Sequence, residues 1–334
     1  MMQKLLNRPE DFADETLEGV LAAHSSRLRR SDEDPRAIIR ADAPVKDRVA
    51  IATGGGSGHL PLFLGYVGQG LAHGCAVGNV FASPSADQML AVMKAIDGGR
   101  GVLQVYGNYG GDVMNFGLAA ELADGEGITS AVVLGADDVA SAPKGEEARR
   151  RGIAGIFFLY KVAGARAEEG ASLDEVRAAA ELAASRVRSM GVALAPSTVP
   201  AAGKPTFELP AGQMEIGMGI HGEPGVRRGP LETADAVAND LLDAILGDMP
   251  MGTGERVDVL VNGLGATPVE ELYVLYRAAA RRLSAEGITI RRQWIGEYAA
   301  SLEMAGASIS LLHVDDEMAR LMDAPASSPF FDRL

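Results

Sequence analysis

The sequence contains a single cysteine, Cys75, among its 334 residues. An intrachain disulfide is therefore impossible, and a reducing compartment such as the cytoplasm is the expected location. Long apolar runs are also missing, because none approaches the roughly 20 residues that a membrane-spanning helix needs. The net charge of −14 makes nucleic acid and anionic membranes unfavourable partners, since both carry charge of the same sign.

Histidine is scarce as well, with five in the whole chain. Three of them, His59, His73 and His221, lie in glycine-rich stretches. Glycine neighbours leave room around an imidazole and let the backbone adopt positive φ, so such a histidine can face a ligand. The hydrophobic content of 47% is that of an ordinary globular protein, and the length predicts about two domains.

Apolar runs alternate with helical patterns over the first part of the chain. Strands are predicted at residues 48–53, 101–106, 129–134 and 155–160, and helices from about residue 112 and over residues 172–188, with Ser172 as N-cap. Alternation of this kind predicts a largely parallel sheet flanked by helices. The fold class is therefore α/β, with an N-terminal domain over residues 1–190.

Shorter, closely spaced apolar segments follow residue 190. They predict hairpin-like antiparallel strands at residues 192–194, 206–209 and 213–218, further strands at 257–261, 288–294 and 308–313, and helices at 233–246 and 268–285. The second domain, residues 191–334, is expected to be α/β with a mixed sheet.

A glycine run, residues 54–59 with the sequence GGGSGH, follows the first of these predicted strands. Such a loop can present backbone N–H groups to an anion or a small polar ligand, and His59 at its end could hydrogen-bond the same ligand. It lacks the Gly-Lys-Ser/Thr ending of a nucleotide-binding P-loop. A tight turn without a ligand is the alternative interpretation.

Two more loops carry groups capable of catalysis. Asp112 follows a strand and two glycines, where it is either a helix N-cap or a catalytic carboxylate facing the ligand crevice. His221 lies in residues 219–225, with the sequence GIHGEPG, directly after a predicted strand. A histidine there could be a general base, a metal ligand or a nucleophile, or it could be an ordinary turn residue. His59, Asp112 and His221 could together bind zinc, but a metal site would leave the surrounding glycines unexplained, so no metal is expected.

From about residue 15 to its end, the chain resembles a known family, the substrate-binding (K) subunits of dihydroxyacetone kinases. The resemblance is carried by eight stretches: residues 54–59 (GGGSGH), 78–84 (GNVFASP), 108–116 (NYGGDVMNF), 190–194 (MGVAL), 203–208 (GKPTFE), 219–225 (GIHGEPG), 261–268 (VNGLGATP) and 301–306 (SLEMAG).

This resemblance implies a kinase that acts on a short-chain keto-sugar. His221 would attack the ketone and hold the substrate as a covalent hemiaminal, Asp112 would accept the proton of the terminal hydroxyl, and His59 would assist as acid or base. Substrate contacts are implied for the stretch Gly55, Gly56, Ser57 and Gly58, and for position 107.

The phosphoryl donor is expected to lie outside this chain, since no P-loop and no protein-kinase set of motifs is present. The resemblance implies a nucleotide-binding L subunit carrying ATP, or ADP in a phosphotransferase-linked system with an M subunit, together with Mg²⁺. It also implies a homodimer.

Two positions depart from the family pattern. Leu60 stands where the family has glutamate, and Gly107 stands where it has a lysine that contacts a substrate hydroxyl. We expect a pocket that accepts a four-carbon ketose such as erythrulose, or a larger one; the alternative is that a neighbouring group replaces the lysine without changing specificity. Two other function classes compete, a ligand-sensing transcriptional co-regulator without catalysis and a nucleotide-dependent oxidoreductase.

Overall fold

The computed structural model describes residues 4–333, which form two compact units that are each discontinuous in sequence. The first unit contains the described residues up to 135, residues 158–184 and those from 320 onward; the second contains residues 136–157 and 185–319. A single boundary near residue 190 does not describe this division. Residues 136–157 belong to the second unit, and the C-terminal residues fold with the first.

Helices and strands alternate along most of the chain. Up to residue 135 they are α1 (Phe12–Ala23), β1 (Leu28–Arg30), β2 (Ala37–Arg40), β3 (Ala50–Ser57), β4 (Gly74–Val80), α2 (Ala86–Ile96), β5 (Val102–Gly107), α3 (Gly110–Gly125) and β6 (Ser130–Gly135). Beyond residue 135 they are α4 (Ile156–Glu168), α5 (Leu173–Ser185), β7 (Val187–Ala195), β8 (Thr198–Val199), β9 (Lys204–Pro205), β10 (Gln213–Ile216), β11 (Arg227–Pro230), α6 (Ala234–Asp248), β12 (Arg256–Gly263), α7 (Val269–Ala285), β13 (Thr289–Gly296), β14 (Ala305–His313), α8 (Asp316–Asp323), β15 (Ala326–Ser328) and β16 (Phe331–Arg333).

The first unit is built on a six-stranded sheet with the order β1-β2-β4-β3-β5-β6. Strands β4, β3, β5 and β6 are parallel, and β1 and β2 pair antiparallel at one edge. One face buries the apolar sides of α2 and α3, for example Met89, Val92 and Phe116. On β3, the Thr53 hydroxyl is 2.7 Å from that of Tyr160 in α4. The expected largely parallel sheet flanked by helices is confirmed.

The second unit contains another six-stranded sheet, with the order β11-β10-β7-β14-β12-β13. Only β12 and β13 pair in parallel, and the remaining neighbours are antiparallel, as the expected mixed sheet requires. Helices α6 and α7 supply Leu241, Ile245 and Leu275 to a core shared with Val259 and Ile309 of the sheet.

Helix starts follow local capping chemistry. Ser172 accepts a hydrogen bond from the Glu175 backbone at 3.4 Å, and the Glu175 carboxylate accepts one from the Ser172 backbone at 2.8 Å, which confirms the predicted cap of α5. Thr233 caps α6 by a single hydrogen bond, which its hydroxyl accepts from the Ala236 backbone at 3.3 Å. These side chains satisfy backbone donors that the first turn of a helix leaves open.

Three local predictions were wrong. Residues 155–160 are not a strand, because α4 begins at Ile156; the run is buried on every side, and periodicity cannot separate a buried strand from a buried helix. Residues 206–209 contain no strand, and the short pair in that region is β8 with β9. The glycine run is not a loop as far as Ser57, since β3 continues to that residue.

Two general properties concern the part of the chain that the structure describes. No helix within residues 4–333 has both the length and the apolar character needed to cross a membrane. Nor do these residues bring together three or more His, Cys, Asp or Glu side chains in a way that could hold a metal ion.

A buried ion pair connects the segment after β6 to the end of α6 within the second unit. Arg150, 1% exposed, donates two hydrogen bonds to the Asp248 carboxylate at 2.9 and 2.6 Å, and Arg188 makes a third contact with that carboxylate. The hydrogen bond from Arg150 is the main reason that the pKa of Asp248 falls from 3.8 to about 2.

Replacing Asp248 with Asn should lower the free energy of unfolding of the second unit by about 3–5 kcal/mol, since the buried Arg150 and the partly buried Arg188 lose their counter-charge. The loss should shrink as the pH falls from about 4 towards 2, where the wild-type carboxylate becomes protonated. Urea unfolding followed by the fluorescence of Trp294, the one tryptophan, reports on this unit.

The matched control is Asp235→Asn on the same helix, α6, which removes an exposed ion pair with Arg277 and should change stability by less than about 1 kcal/mol. Equal effects of the two variants would contradict the importance given to the buried pair.

Candidate active site

The strand order of the first sheet creates a switch point between β3 and β5. The chain leaves β3 for β4 on one side, then crosses back to β5 and continues outward to β6. In open α/β sheets, ligands bind at the carboxyl ends of the strands where the winding direction reverses. His59 follows β3, and Asp112 stands in the first turn of the helix that follows β5, so both predicted residues lie at this edge.

The two strands also separate as they approach that edge. Pairing between β3 and β5 runs from Ala50 with Val102 to Ala52 with Gln104, whereas β3 pairs with β4 as far as Ser57. The glycine-rich half of β3 is therefore paired with β4 and not with β5. Gly54 and Gly55 are buried, and Gly56 and Ser57 at the end of the strand are partly exposed.

Close packing explains why glycine occupies position 55. A Cβ atom placed on Gly55 would lie 2.2 Å from the ring of Phe63, well inside van der Waals contact. Ser57 is held at the end of the strand, because its hydroxyl donates to the Gly78 carbonyl at 2.6 Å. Gly58 follows with φ of +98°, which turns the chain towards His59.

His59 is enclosed by two aromatic rings. Its imidazole stacks on Phe81, with centroids 4.8 Å apart and planes 23° apart, and meets Phe63 edge-on at 6.1 Å. Both phenylalanines have positive φ, +57° and +65°, a conformation that costs a bulky residue about 1–3 kcal/mol. The side chain of His59 is 1% exposed, so this strained pair fixes its ring in a mostly dry environment.

Asp112 lies in the first turn of α3, which begins at Gly110 with Tyr109 as N-cap, so the alternative that Asp112 is the N-cap is wrong. It shares the inward face of the helix with Phe116 and is 5% exposed. Its carboxylate therefore lies at the N-terminal end of a helix, where the macrodipole is positive. Its charge acts on the site, since burial and then Asp112 raise the pKa of Tyr106 to about 12.

Hydrogen bonds from the loop after β4 connect the end of β3, next to His59, with the helix that carries Asp112. Phe81 donates its backbone N–H to the Ser57 carbonyl at 3.0 Å, and Asn115 of α3 donates to the Pro84 carbonyl at 2.7 Å. The carboxyl ends of β3, β4 and β5 therefore form one connected edge. The two positions that depart from the family pattern lie beside this edge. Gly107 is the last residue of β5 and pairs with Gly135, and Leu60 directly follows His59.

His221 belongs to the second unit, on the connection between β10 and β11. This loop is well fixed: the Ser301 hydroxyl donates to the Ile220 carbonyl at 2.5 Å, and Gly217 donates its N–H to Gly191 at 2.7 Å. The imidazole itself is 24% exposed, which is consistent with the expected histidine facing solvent or a ligand.

Glu223 holds His221 at two points. One carboxylate oxygen accepts the backbone N–H of His221 at 3.0 Å, and the other lies 3.0 Å from the imidazole Nδ1. Burial is the largest single influence and raises the pKa of Glu223, but the hydrogen bond and charge of His221, with smaller contributions from a backbone hydrogen bond and from Arg151, together lower this pKa to about 2. Gly219 makes room for this arrangement, because a Cβ there would lie 2.2 Å from the Glu223 carboxylate.

Arg151 stands behind the pair. One of its Nη atoms is 3.9 Å from Glu223, its Nε donates to Asp138 at 3.0 Å, and the other Nη donates to the Gly217 carbonyl at 3.1 Å. Sequence reasoning missed both Glu223 and Arg151. The signal for Glu223 was a carboxylate two residues after the histidine, whereas Arg151 lies in a stretch without any motif.

Gln104 is a third residue that sequence reasoning passed over. It sits in β5 at the last position paired with β3, is fully buried, and neither atom of its amide finds a hydrogen-bond partner among the described residues. A polar residue inside the apolar run of residues 102–106 was the available signal. Its position marks the point where the pairing of β3 with β5 ends.

The variant Gly55→Ala tests the packing at this edge. It should lower the free energy of unfolding by about 1–3 kcal/mol, because the added methyl group overlaps the Phe63 ring. Thermal unfolding followed by circular dichroism measures the change. The control Gly117→Ala adds the same methyl group where nothing lies within 4 Å, and should be neutral or stabilising by about 0.5–1 kcal/mol. If both variants were equally stable, the close approach at Gly55 would be disproved.

The sequence is similar to those of known proteins. A sequence model described as the Dak1 domain matches residues 18–330. The chain is 45% identical to the L-erythrulose kinase of Pectobacterium atrosepticum over 99% of its own length and 56% of that protein's. It is 44% identical to the dihydroxyacetone-binding subunit DhaK of the PTS-dependent dihydroxyacetone kinase 2 of Listeria innocua, with 99% of both chains covered.

A solved structure agrees with these similarities. The dihydroxyacetone kinase of C. freundii in its native form superposes with a TM-score of 0.89 at 32% identity, covering 100% of this chain and 61% of that one. The chain thus spans little more than half the length of the L-erythrulose kinase and nearly all of the Listeria subunit. On this evidence the chain belongs to the Dak1 domain family.

Proposed function

We propose that this chain is the substrate-binding and catalytic part of a kinase for dihydroxyacetone or a related short-chain keto-sugar. The observation that carries the proposal is the presence of all three chemical groups that such a reaction needs, His59, Asp112 and His221, in a chain of this family. His59 and Asp112 lie at the switch point of the first sheet, and His221 stands partly exposed on a fixed loop of the second unit.

In the proposed reaction, the imidazole of His221 adds to the ketone carbon, and the substrate is held as a hemiaminal. Simple polyols such as glycerol lack the carbonyl group and are excluded. Asp112 accepts the proton of the terminal hydroxyl as that oxygen attacks phosphorus, and its place at a helix N-terminus favours the ionised form. His59 acts as acid or base at the carbonyl oxygen, and the backbone of residues 55–58 contacts the substrate.

The phosphoryl donor is proposed to come from a nucleotide-binding L subunit or domain, which carries ATP, or ADP where an M subunit of a phosphotransferase system recharges it, with Mg²⁺. Phosphoryl transfer requires metal and positive charge around the transferred group. We further propose that the chain forms a homodimer. A cytoplasmic location is proposed because the single buried Cys75 cannot form an intrachain disulfide.

The variant His221→Ala should abolish the covalent adduct. Native mass spectrometry of the chain mixed with dihydroxyacetone or erythrulose should show one bound ketose in the wild type and none in the variant. His313→Ala is the matched control, because His313 is also partly exposed in the second unit beside a carboxylate, Glu255, at 3.6 Å. An adduct that survives in His221→Ala, or is lost in His313→Ala, would contradict the role of His221.

Gly107 and Leu60 lead us to propose a four-carbon ketose such as erythrulose as the preferred substrate, a choice also supported by the relative named L-erythrulose kinase. Assays of kcat/KM with the nucleotide-binding partner should favour erythrulose over dihydroxyacetone. Gly107→Lys should shift this ratio about 10-fold towards dihydroxyacetone by restoring a hydrogen-bond donor. If dihydroxyacetone were the best substrate of the wild type, this part of the proposal would fail.

A ligand-sensing co-regulator would need to bind the ketose but not to transfer phosphate, so it would have no use for a general base. The presence of Asp112 together with His59 and His221 favours catalysis. The variant Asp112→Asn separates the two functions: a kinase should lose turnover in this variant while the adduct on His221 remains.

A further inference from the structure

The segment that connects β3 to β4 is buried along most of its length. Residues 61–68 are buried throughout, and one 3₁₀ turn, Leu64–Tyr66, lies within them. Connecting segments normally run over the surface, because a buried backbone must find partners for its polar groups. We call residues 60–70 the covered segment, since the hairpin formed by β15 and β16 lies on it.

Hydrogen bonds join the covered segment to β15. The Ser328 hydroxyl, which is fully buried, donates to the Gly65 carbonyl at 2.7 Å. The backbone N–H of Ser327 donates to the Gln69 carbonyl at 2.9 Å, as between antiparallel strands. The hairpin therefore supplies donors to two carbonyl groups of a segment that has left the sheet.

Two glycines let the hairpin approach this backbone. A Cβ on Gly68 would lie 2.1 Å from the Ser327 carbonyl oxygen, and one on Gly65 would lie 3.2 Å from the ring of Phe330, in the turn of the hairpin. Contacts this short leave no room for side chains at these two positions. Because closely packed interiors transmit strain, a change in the hairpin should displace the covered segment.

Phe63 links the covered segment to His59. Its ring meets the imidazole edge-on, with centroids 6.1 Å apart. Its φ of +65° is strained, and a strained residue keeps its conformation only where its surroundings over-determine it. The Phe63 carbonyl accepts the N–H of Tyr66 at 3.1 Å, and Gly65, which Ser328 holds, lies between those two residues. Fixing Gly65 therefore helps to fix the ring that encloses the histidine.

We propose that the hairpin β15–β16 positions His59, and that Ser328 and Phe330 are positioning residues that act through Gly65 and Phe63. This inference rests on the proposed function for its effect on turnover, whereas the placement of the His59 ring is a property of the free protein. The two can therefore be measured independently.

The hairpin is itself anchored to the first unit. Arg27 donates to the Ser328 carbonyl at 2.6 Å. The fully buried Lys161 of α4 donates to the Leu321 carbonyl, near the end of α8 and shortly before the hairpin, at 3.0 Å. These contacts give the hairpin a fixed place from which it holds the covered segment, as a positioning role requires.

Nuclear magnetic resonance of protein labelled with ¹³C and ¹⁵N in histidine tests the placement of the His59 ring without any substrate. The signals of His59 are assigned from their loss in His59→Ala. In Ser328→Ala the Gly65 carbonyl loses its donor, so the Phe63 ring should move. The signals of the His59 ring protons should then shift, because they depend on the ring currents of Phe63 and Phe81. Unchanged His59 signals in folded Ser328→Ala would overturn the proposal.

Ser327→Ala is the matched control, because the Ser327 hydroxyl bonds to the exposed Asp332 within the hairpin and its backbone contact is kept. This variant should leave the His59 signals in place. The signals of His313, in the second unit, should be unchanged in both variants. A shift of the His59 signals as large in Ser327→Ala as in Ser328→Ala would refute the specific role of Ser328.

The variant Phe330→Ala tests the second contact in a side chain that is 43% exposed, so this variant should fold. The His24 ring lies 5.9 Å from that of Phe330, and its signals should shift directly. The His59 signals should shift as well, because the Phe330 ring packs against Gly65. Shifted His24 signals beside unchanged His59 signals would contradict the role of Phe330.

Turnover separates positioning from stability. Assayed with a nucleotide-binding partner, Ser328→Ala should lower kcat for the ketose by about 10- to 100-fold with a smaller change in KM, since misplacing a reacting group by about 1 Å can cost about 100-fold. Ser327→Ala should keep the wild-type kcat. A lower urea midpoint in Ser328→Ala combined with wild-type His59 signals and wild-type kcat would assign Ser328 a structural role and overturn the proposal.

The two proposals can fail separately. A wild-type protein that phosphorylates no ketose, while Ser328→Ala shifts the His59 signals, would remove the proposed function and leave the positioning by the hairpin intact. A wild-type protein that is an active ketose kinase, with the same His59 signals in Ser328→Ala, would do the reverse.

Discussion

The separation of β3 from β5 is the constraint on which the first unit's site depends. Three paired positions hold the strands together, after which β3 follows β4 alone to Ser57. That path is open only to residues with almost no side chain, because β3 runs within contact distance of Phe63, Phe81 and Phe116. The glycines thus serve as a packing device.

In the second unit, the main structural constraint is the one that fixes the loop and the ring of His221. A histidine on a flexible turn would exchange between tautomers and rotamers. In this loop the backbone is tied down by Ser301 on one side, and the ring is held by Glu223, which Arg151 and Asp138 support in turn. The arrangement is stabilised by the Glu223 carboxylate, which has several hydrogen-bond and charge partners. Replacing Glu223 with a neutral residue should therefore change the position of the His221 ring.

Sequence reasoning predicted much of this structure where local chemistry decides the outcome. Strand–helix alternation indicated the parallel sheet, Ser172 and Thr233 marked real helix starts, and the loops with His59, Asp112 and His221 were identified as functional candidates. It failed where distant packing decides. The run beginning at Ile156 is a helix because it is buried on all sides, and a buried run carries no periodic signal. Arg151 could not be connected to His221 because the two are far apart in sequence.

The division of the chain shows the same limit. Nothing in composition marks residues 136–157 as part of the second unit, since their membership follows from contacts such as Arg150 with Asp248 and Arg151 with Asp138. Glu223 is an intermediate case. Its place two residues after His221 was visible in the sequence, but its role depends on the turn that brings its carboxylate back to Nδ1.

The central claim is that an imidazole nitrogen of His221 forms a bond to the carbonyl carbon of a ketose. It is tested most directly by adding erythrulose labelled with ¹³C at the carbonyl carbon to protein labelled with ¹⁵N in histidine. We predict that the carbon signal moves from the ketone region to that of a tetrahedral carbon and shows one-bond coupling to an imidazole nitrogen of His221. A bound ketose that keeps its ketone signal, or a carbon coupled to any other nitrogen, would contradict it.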